Sequence, residues 1–267
     1  MKGKLSRMNI LQEIAGRTKE RIEAQKKLLP LEQIIDAMHP IGADHGFPFE
    51  KALKQKDIAF ICEVKKASPS KGIISEEFPY LDIARNYEAA GAAAISVLTE
   101  PYYFQGSDRY LREIADTVRI PLLRKDFTVD SYMIYEAKLL GASAVLLICS
   151  ILDRDALAEY IQITHSLGLS ALIETHDEEE VKMALDAGAR IIGVNNRDLK
   201  TFEVDITLSE RLRKLVPADV LFVSESGINS PADIARLREI GANAALIGES
   251  LMRSNDIKAA IAGLRGT

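Results

Sequence analysis

Two residues of opposite charge, Glu63 and Lys65, lie two positions apart at the end of the apolar run Ile58–Val64. Residues i and i+2 of a β-strand point to the same side, so both side chains would share one face. A carboxylate beside an amine can exchange protons with a substrate, which is general acid–base chemistry. The loop Ser-Pro-Ser-Lys-Gly follows at 68–72. The alternative is an edge strand with a surface ion pair, because isolated charge pairs are common.

Similar polar residues stand at the ends of later apolar runs. Lysines can act as general acids or Schiff-base nucleophiles, and glutamates as general bases. We expect the positive charges of Lys65 and Lys125 to lower each other's pKa, which would make a lysine a proton donor near neutral pH. This chemistry suits proton transfers on a phosphorylated sugar. The candidates in chain order are Glu63, Lys65, Lys125, Glu174, Asn195, Arg197, Glu225 and Ser226.

Four other polar residues near these positions are interpreted as structural. We expect Thr99, Asp126 and Asp198 to be helix caps or solvated loop residues. His176 is close to Glu174 in sequence and is interpreted as a surface or helix-capping residue. Burial of unpaired charge is costly, so many charged strand ends converging on one edge indicate a site rather than a core.

After Asp57, eight short apolar runs alternate with longer amphipathic segments, which predicts strands each followed by a helix. Eight such units predict an α/β fold, a (β/α)8 TIM barrel, whose active site lies at the carboxyl ends of the strands. The alternative is an open doubly wound sheet, but no run leads through G-x-G-x-x-G into a helix. The predicted strands are Ile58–Val64, Ala93–Leu98, Pro121–Arg124, Ala144–Cys149, Ser170–Ile173, Ile191–Val194, Val220–Ser224 and Ala244–Ile247. The predicted helices are about Leu81–Ala90, Asp108–Val118, Ser131–Leu140, Asp153–Leu167, Asp177–Asp186, Thr207–Leu215, Pro231–Ile240 and Glu249–Ala262.

Glycine-containing turns follow the last two predicted strands, at Gly227 and Gly248. Backbone N–H groups at such turns and at helix N-termini bind phosphate, and TIM barrels often hold phosphate at this place. Ser68 would reach the same anion, because the first and last strands of a closed barrel are neighbours. Turn formation alone is the alternative interpretation of either glycine.

Residues 1–57 differ from the repeating region and predict a helical N-terminal extension. An amphipathic helix from about Ser6 to Leu28 is ended by Pro30, and a short helix Leu31–Met38 follows. His39–Pro48 predicts a loop, and Phe49–Gln55 another helical turn. We expect this extension to cap the barrel formed by residues 58–267, within a single structural domain.

The composition favours an ordinary globular protein and excludes several classes. Hydrophobic residues make up 47% of 267 residues, and the net charge of −5 provides no basic field for nucleic acid. No apolar run approaches the about 20 residues that span a bilayer, and no signal peptide is visible. Cys62 and Cys149 lie in apolar runs and predict buried free thiols in a cytoplasmic protein. Neither they nor the four histidines have metal-site spacing.

Seven segments of the chain form a specific pattern: E-V-K-K-A-S-P-S-K-G at 63–72, Y-F-Q-G-S-D at 103–108, R-K-D-F at 124–127, E-T-H at 174–176, I-G-V-N-N-R-D-L-K-T-F at 192–202, S-E-S-G-I at 224–228 and I-G-E-S at 247–250. With these segments, and from the extension to the last helix, the chain resembles the indole-3-glycerol phosphate synthase family of tryptophan biosynthesis. Small departures from the family pattern are Thr175, where Val is usual, and Met133, where Gln is usual; neither is expected to touch the reaction.

This resemblance implies a carboxy-lyase that acts on 1-(2-carboxyphenylamino)-1-deoxyribulose 5-phosphate. Ring closure, decarboxylation and dehydration would give indole-3-glycerol phosphate, CO2 and water. The resemblance implies no cofactor and no metal. The expected partner is this small phosphorylated substrate, with no nucleic acid and no membrane. We expect a monomer, with association with other tryptophan-pathway enzymes left open.

The resemblance also implies residue roles. Lys125 would protonate the ketone oxygen, Lys65 would lie against the substrate carboxylate, and Glu174 would be the general base. The division of acid roles between the two lysines stays open. The implied catalytic residues are Glu63, Lys65, Lys125, Glu174, Asn195, Glu225 and Ser226. The implied substrate-binding residues are Phe104, Phe127 and Leu146 around the anthranilate ring, Arg197, Ile247, and Ser68, Gly227, Gly248 and Ser250, the last four at the phosphate.

Two other functions are considered. A sugar-phosphate isomerase or a Schiff-base aldolase could use the same barrel and the same lysines. A non-catalytic sensor of a phosphorylated metabolite should lack one of Lys65, Lys125 or Glu174, and all three are present.

Overall fold

The computed structural model describes residues 10–38, 46–198, 201–254 and 256–266. Eight strands form one closed parallel barrel, in which the first strand pairs with both the second and the last. The predicted TIM barrel is therefore confirmed, and the open sheet is excluded. The strands are β1 (Ala59–Val64), β2 (Ala94–Leu98), β3 (Leu122–Lys125), β4 (Ala144–Ile148), β5 (Ser170–Thr175), β6 (Ile191–Asn195), β7 (Leu221–Glu225) and β8 (Ala244–Ile247).

The helices between the strands also follow the prediction, with one correction at the carboxyl end. The predicted helix Glu249–Ala262 is two helices, because Asp256 caps a new one by accepting a hydrogen bond from the Ala259 backbone. A short antiparallel hairpin, Ala67–Ser68 with Gly72–Ile73, forms in the loop after β1. The helices are α1 (Ile10–Leu28), α2 (Leu31–Met38), α3 (Pro48–Leu53), α4 (Tyr80–Ala89), α5 (Asp108–Ala115), α6 (Tyr132–Leu139), α7 (Arg154–Ser166), α8 (Glu178–Asp186), α9 (Thr207–Arg213), α10 (Pro231–Glu239), α11 (Glu249–Met252) and α12 (Ile257–Arg265).

The N-terminal extension contains α1, α2 and α3. The part of the predicted first helix before Ile10 and most of the predicted loop, 39–45, lie outside the described residues. Within the described residues, no helix is both long and apolar enough to cross a membrane.

Alternation along the strands divides the apolar core into two layers. Side chains at every second position point into the barrel, and those between them pack against the surrounding helices. In β1, Ala59 and Ile61 belong to the inner layer, whereas Phe60 and Cys62 belong to the outer one. The next inward position of β1 is Glu63. The same alternation places a polar residue at the inward carboxyl end of several other strands.

Different helices of the extension lie at opposite ends of the barrel. Phe49 and Leu53 of α3 enter the inner layer, and Glu50 of α3 pairs with Arg190, which stands just before β6. This contact is at the amino end of the strands. Leu11 and Ile14 of α1 join the same inner layer beside Phe127, at the carboxyl end.

Candidate active site

A cavity of about 610 Å³ lies at the carboxyl end of the barrel. Every residue for which the sequence predicts a catalytic or binding role contributes to its wall. The shared wall residues are Glu63, Lys65, Ser68, Phe104, Lys125, Phe127, Leu146, Glu174, Asn195, Arg197, Glu225, Ser226, Gly227, Ile247, Gly248 and Ser250. Their placement in one cavity is a structural fact, and their individual roles stay a prediction.

Four charged residues at the centre of this cavity form what we call the site cluster: Glu63, Lys125, Glu174 and Glu225. Each ends or nearly ends a strand, and each follows an inner-layer apolar residue by two positions, as Leu123 precedes Lys125. Parallel strands are paired around the whole barrel, so their inward-pointing ends lie at the same level of the barrel. Residues far apart in sequence therefore meet there. All four side chains are mostly buried, at 2–15% exposed.

Lys125 lies at the middle of the site cluster. Its Nζ is 3.4 Å from Glu225 Oε2, 3.8 Å from Glu63 Oε2 and 3.9 Å from Glu174 Oε2. Lys65 reaches the cluster through a shorter contact, 2.5 Å from its Nζ to Glu63 Oε1. Glu63 therefore lies between Lys65 and Lys125. The sequence spacing predicts only its contact with Lys65.

The expected lowering of the lysine pKa is wrong for Lys125. Burial by itself would lower the pKa, but the charges of Glu225, Glu63 and Glu174 outweigh burial and raise the pKa well above its ordinary value. The prediction took into account the positive charges of Lys65 and Lys125 but not the carboxylates between them. These carboxylates thus favour the charged form of Lys125 in the resting site.

Two carboxylates of the site cluster have opposite pKa shifts. Burial would raise the pKa of Glu174, but His176, Lys125 and a hydrogen bond from Asn195 lower it to about 2. Burial raises the pKa of Glu225 to about 7, helped by the negative charges of Glu174 and Glu63 and opposed by Lys125. Neither Glu225 oxygen makes a hydrogen bond with a described residue. A pair of acids with separated pKa values can divide acid and base roles between them.

The predicted phosphate end of the cavity lies where β7, β8 and the loop after β1 meet. β1 pairs with β8, which places Ser68 near Gly248 as expected. Gly248 is the residue before α11, and a Cβ there would lie 2.7 Å from Glu63 Oε1, so any larger residue would displace the Glu63 carboxylate. Ser226 and Gly227 have φ angles of 64° and 83°. This left-handed pair turns the chain sharply after β7.

Apolar side chains close the other side of the cavity. Phe104 and Phe127 lie with their ring centroids 6.3 Å apart, and Leu146 is on the same wall. The sequence reasoning missed Leu11 and Ile14 of α1, which also line the cavity. Their signal was the apolar face of the amphipathic helix. Periodicity shows that such a face is buried but does not show against what.

The comparisons with known proteins agree with this geometry. The model of the indole-3-glycerol phosphate synthase family matches residues 11–264. The chain belongs to this family. Members are decarboxylating lyases of tryptophan biosynthesis. An indole-3-glycerol phosphate synthase of Ruminiclostridium cellulolyticum is 61% identical over 97% of this chain and 99% of its own length. One from Endomicrobium trichonymphae is 53% identical over 93% and 96%.

Solved structures of more distant proteins share the barrel. A mutant tryptophan synthase alpha-subunit of Pyrococcus furiosus has a TM-score of 0.61 at 15% identity, over 79% of this chain and 99% of that one. Thiamine phosphate pyrophosphorylase of Pyrococcus furiosus has a TM-score of 0.58 at 16% identity, over 78% and 94%. At such identities the likeness shows the fold alone.

In this family member, the interpretation of Thr99 and Asp126 as solvated or capping residues is wrong. Both are buried, and Thr99 Oγ1 donates to Asp126 Oδ2 at 2.7 Å. Asp126 also accepts from Arg21 of α1 at 2.9 Å, so it fixes the extension to the strand that carries Lys125. We call the set Arg21, Asp108, Arg124, Asp126 and Glu136 the anchor cluster. Asp198 is exposed, as expected for a loop residue.

The interpretation of His176 is also wrong. Its side chain is only 18% exposed and lies between two carboxylates, 3.3 Å from Glu174 Oε1 and 3.0 Å from Glu180 Oε2. It does not cap α8, since Asp177 holds the capping position. The contact depends on the turn between β5 and α8, whose geometry the sequence spacing does not show.

The remaining expectations concern the thiols, the two residues that depart from the family pattern, and metal binding. Cys62 and Cys149 are buried free thiols, as predicted. Thr175 and Met133 are buried and do not line this cavity. In the part of the chain that the structure describes, no group of three His, Cys, Asp or Glu side chains is arranged to hold a metal ion.

Proposed function

We propose that this protein converts 1-(2-carboxyphenylamino)-1-deoxyribulose 5-phosphate to indole-3-glycerol phosphate, CO2 and water. The observation that carries the proposal is the charged Lys125 surrounded by the carboxylates of Glu63, Glu174 and Glu225 in a cavity with an aromatic wall. Family membership supports the same activity. The three steps are together redox-neutral, so the chemistry requires proton transfer and positioning but no electron transfer.

Lys125 acts first, as a general acid. The anthranilate ring carbon attacks the ketone carbon, and the ammonium of Lys125 protonates the ketone oxygen as the C–C bond forms. The raised pKa of Lys125 keeps its ammonium protonated until the substrate arrives. It is a weaker acid than the near-neutral donor expected from the sequence, and the strongly basic oxygen formed by ring closure takes its proton. The same shift argues against a Schiff-base aldolase, whose lysine must be a neutral amine.

Loss of CO2 restores the electron pair to the ring system, and dehydration then completes the indole. Lys65 holds the substrate carboxylate before it leaves and donates a proton to the departing hydroxyl. Glu174 removes the remaining ring proton or stabilises the positive charge on the nitrogen. Glu63 passes protons between the lysines, since it contacts Lys65 at 2.5 Å and Lys125 at 3.8 Å. Asn195, Arg197, Glu225 and Ser226 orient the substrate.

The two ends of the substrate would bind at opposite walls. Phe104, Phe127 and Leu146 enclose the anthranilate ring, with Ile247 completing the binding surface. Ser68, Gly227, Gly248 and Ser250 hold the phosphate at the turns after β1, β7 and β8. The extension caps this mouth through α1, whose Leu11 lines the cavity.

The protein is further proposed to work as a cytoplasmic monomer. One chain supplies every wall residue of the cavity, so the site needs no second copy. Two buried free thiols suit a reducing compartment. Size-exclusion chromatography with light scattering at assay concentration tests the monomer, and a dimer would contradict it.

The decisive experiment mixes purified protein with the substrate and follows indole fluorescence. The chain has no Trp, so its own background is low. We expect a rising signal without added metal or nucleotide. A flat signal with the substrate bound would contradict the assigned lysine and glutamate roles. A flat signal without binding would contradict the substrate itself.

A further inference from the structure

Outside the substrate cavity, His176 is the titratable side chain with the closest link to the reaction centre. Its ring lies in the wall of a neighbouring cavity of about 500 Å³, and it does not line the one that would hold the substrate. Asn195 and Arg197 line both cavities. His176 therefore lies outside the wall of the substrate cavity, yet its Nε2 lies 3.3 Å from Glu174 Oε1.

Glu180 fixes the ring from the other side. Its Oε2 lies 3.0 Å from His176 Nδ1 and also accepts the backbone N–H of His176 at 2.8 Å. Glu180 is itself held in the first turn of α8, where its own N–H donates to the capping Asp177 at 2.8 Å. One carboxylate thus holds both the main chain and the ring of His176, which leaves the ring little freedom to turn away from Glu174.

The contact between His176 and Glu174 is an ion pair and not an aligned hydrogen bond. His176 Nε2 is buried and makes no aligned hydrogen bond with a described residue, although the ion-pair distance is short. Burial opposes a charge on the ring, but Glu174 and Glu180 outweigh it and raise the pKa of His176 to about 10. The ring is therefore an imidazolium at neutral pH, between two carboxylates.

We propose that His176, held by Glu180, is a positioning residue that orients Glu174 and keeps it a carboxylate for its role as general base. This inference rests on the proposed function, because it adds a positioning residue to Glu174, the general base of that reaction. Asn195 and Lys125 act on Glu174 from inside the substrate cavity, whereas His176 acts from behind it. The charge of the substrate can then change during the reaction while His176 keeps Glu174 in place.

Other charged groups also border the second cavity and belong in any pH experiment on His176. They come from α8 and the residue before it, the loop after β6, and α9. Among the described residues they are Asp177, Glu180, Arg197, Asp198, Glu203, Asp205 and Arg211.

Steady-state kinetics of His176→Gln is the first test. Gln keeps a hydrogen-bond donor but removes the charge that holds Glu174 in place, so we expect kcat to fall at least about tenfold, since a misplaced general base loses part of its contribution of about 10²- to 10⁴-fold. KM should stay within about threefold, because the substrate wall is untouched. His165→Gln is the matched control, since it replaces another partly buried histidine that lines neither cavity. We expect the control to keep wild-type kcat.

A second readout does not depend on turnover. NMR titration of the ¹³C-labelled Glu174 carboxyl, assigned with Glu174→Gln, should show an ionised group in wild type from pH 4 upward. In His176→Gln its midpoint should rise into this pH range, because burial is then opposed only by Lys125 and Asn195. Glu180→Gln, which leaves the histidine in place, should move it in the same direction by less. The double variant should resemble His176→Gln, because the two residues act as one unit.

An unmoved Glu174 titration, or a kcat of His176→Gln within twofold of wild type, would overturn the proposal. If His176→Gln fails to fold, Glu180→Gln decides by the same two measurements. If the wild type has no turnover with the substrate, the proposed function fails. The titration alone then decides whether His176 controls Glu174.

Discussion

Two neighbouring residues of β3 enter two different charged clusters. Lys125 points into the barrel and belongs to the site cluster, whereas Arg124 points outward and belongs to the anchor cluster. Both are buried among several carboxylates. In the anchor cluster, Arg124 donates to Asp108 and Glu136 at 2.7 Å each and to the Met133 carbonyl at 2.9 Å. In the site cluster, no Lys125–carboxylate distance is below 3.4 Å.

This difference between the ion-pair distances of Arg124 and Lys125 shows how neighbouring residues of one strand can serve stability and chemistry separately. Close pairs such as those of Arg124 with Asp108 and Glu136 offset the cost of burying charge. Looser pairs with unsatisfied oxygens, as in Glu225, are left for a ligand to complete. Each prediction below tests whether a residue belongs to the first kind of cluster or the second.

The largest expected effect is on activity, from Lys125→Met. Removal of a general acid costs about 10²- to 10⁴-fold in rate, so we expect kcat to fall by that amount while the barrel stays folded. Indole fluorescence gives the rate, and circular dichroism gives the fold. Calorimetry with substrate should still detect phosphate-driven binding. A variant with near-wild-type kcat would remove Lys125 from the role of acid.

The largest expected effect on stability comes from its neighbour, Arg124→Met. Met has similar bulk, but it leaves Asp108, Asp126 and Glu136 without their shared cation. Breaking a buried pair by removing one partner costs about 3–5 kcal/mol in the free energy of unfolding. Urea unfolding should show this loss. A loss below about 1 kcal/mol would show that the anchor cluster does not stabilise the fold.

A pH-dependent effect should separate Glu225 from the anchor cluster. A carboxyl group whose pKa is raised by folding holds its proton more tightly when folded. Its stabilising contribution is therefore present below the unfolded value of 4.5 and is lost as pH rises through about 7. Glu225→Gln removes this loss, so at pH 8 we expect the variant to be about 1–2 kcal/mol more stable than wild type, with reduced kcat.

At pH 4 the gain from Glu225→Gln should disappear, because Glu225 is then protonated in both folded and unfolded wild type. Asp126 of the anchor cluster has the opposite sign. Burial would raise its pKa, but Arg21 and Arg124 lower it, so its stabilising contribution is lost as pH falls below 3.8. Urea unfolding at pH 4, 6 and 8 measures the Glu225 effect, and extension of the series to about pH 3 measures the Asp126 effect. A pH-independent difference for Glu225→Gln would contradict its raised pKa.

The attachment of α1 gives a comparison whose control has the smallest expected effect. Arg21→Gln removes the buried contact with Asp126 and should cost about 1–3 kcal/mol, as for hydrogen bonds to charged groups. Lys26→Gln is the matched control on the same helix. Its pair with Asp130 is partly exposed, so we expect at most about 1 kcal/mol. Equal losses in urea unfolding would show that burial of the anchor contact does not matter.

The sequence by itself determined the barrel and most of the site. Alternation of short apolar runs with amphipathic segments predicted eight strands and their order. Because a barrel strand points every second residue inward, the polar residues Glu63, Lys125, Glu174 and Glu225 could be assigned to one mouth from their positions alone. The resemblance to a family then supplied the substrate, which no spacing could show.

Only the tertiary structure decided which charges meet. The pKa of Lys125 depends on three carboxylates from three other strands, and the burial of Asp126 depends on Arg21, 105 positions away. His176 acquires its contact through the turn that leads into α8. Electrostatic shifts depend on distances of a few ångströms and on exclusion of water, and both arise only when separate elements pack together.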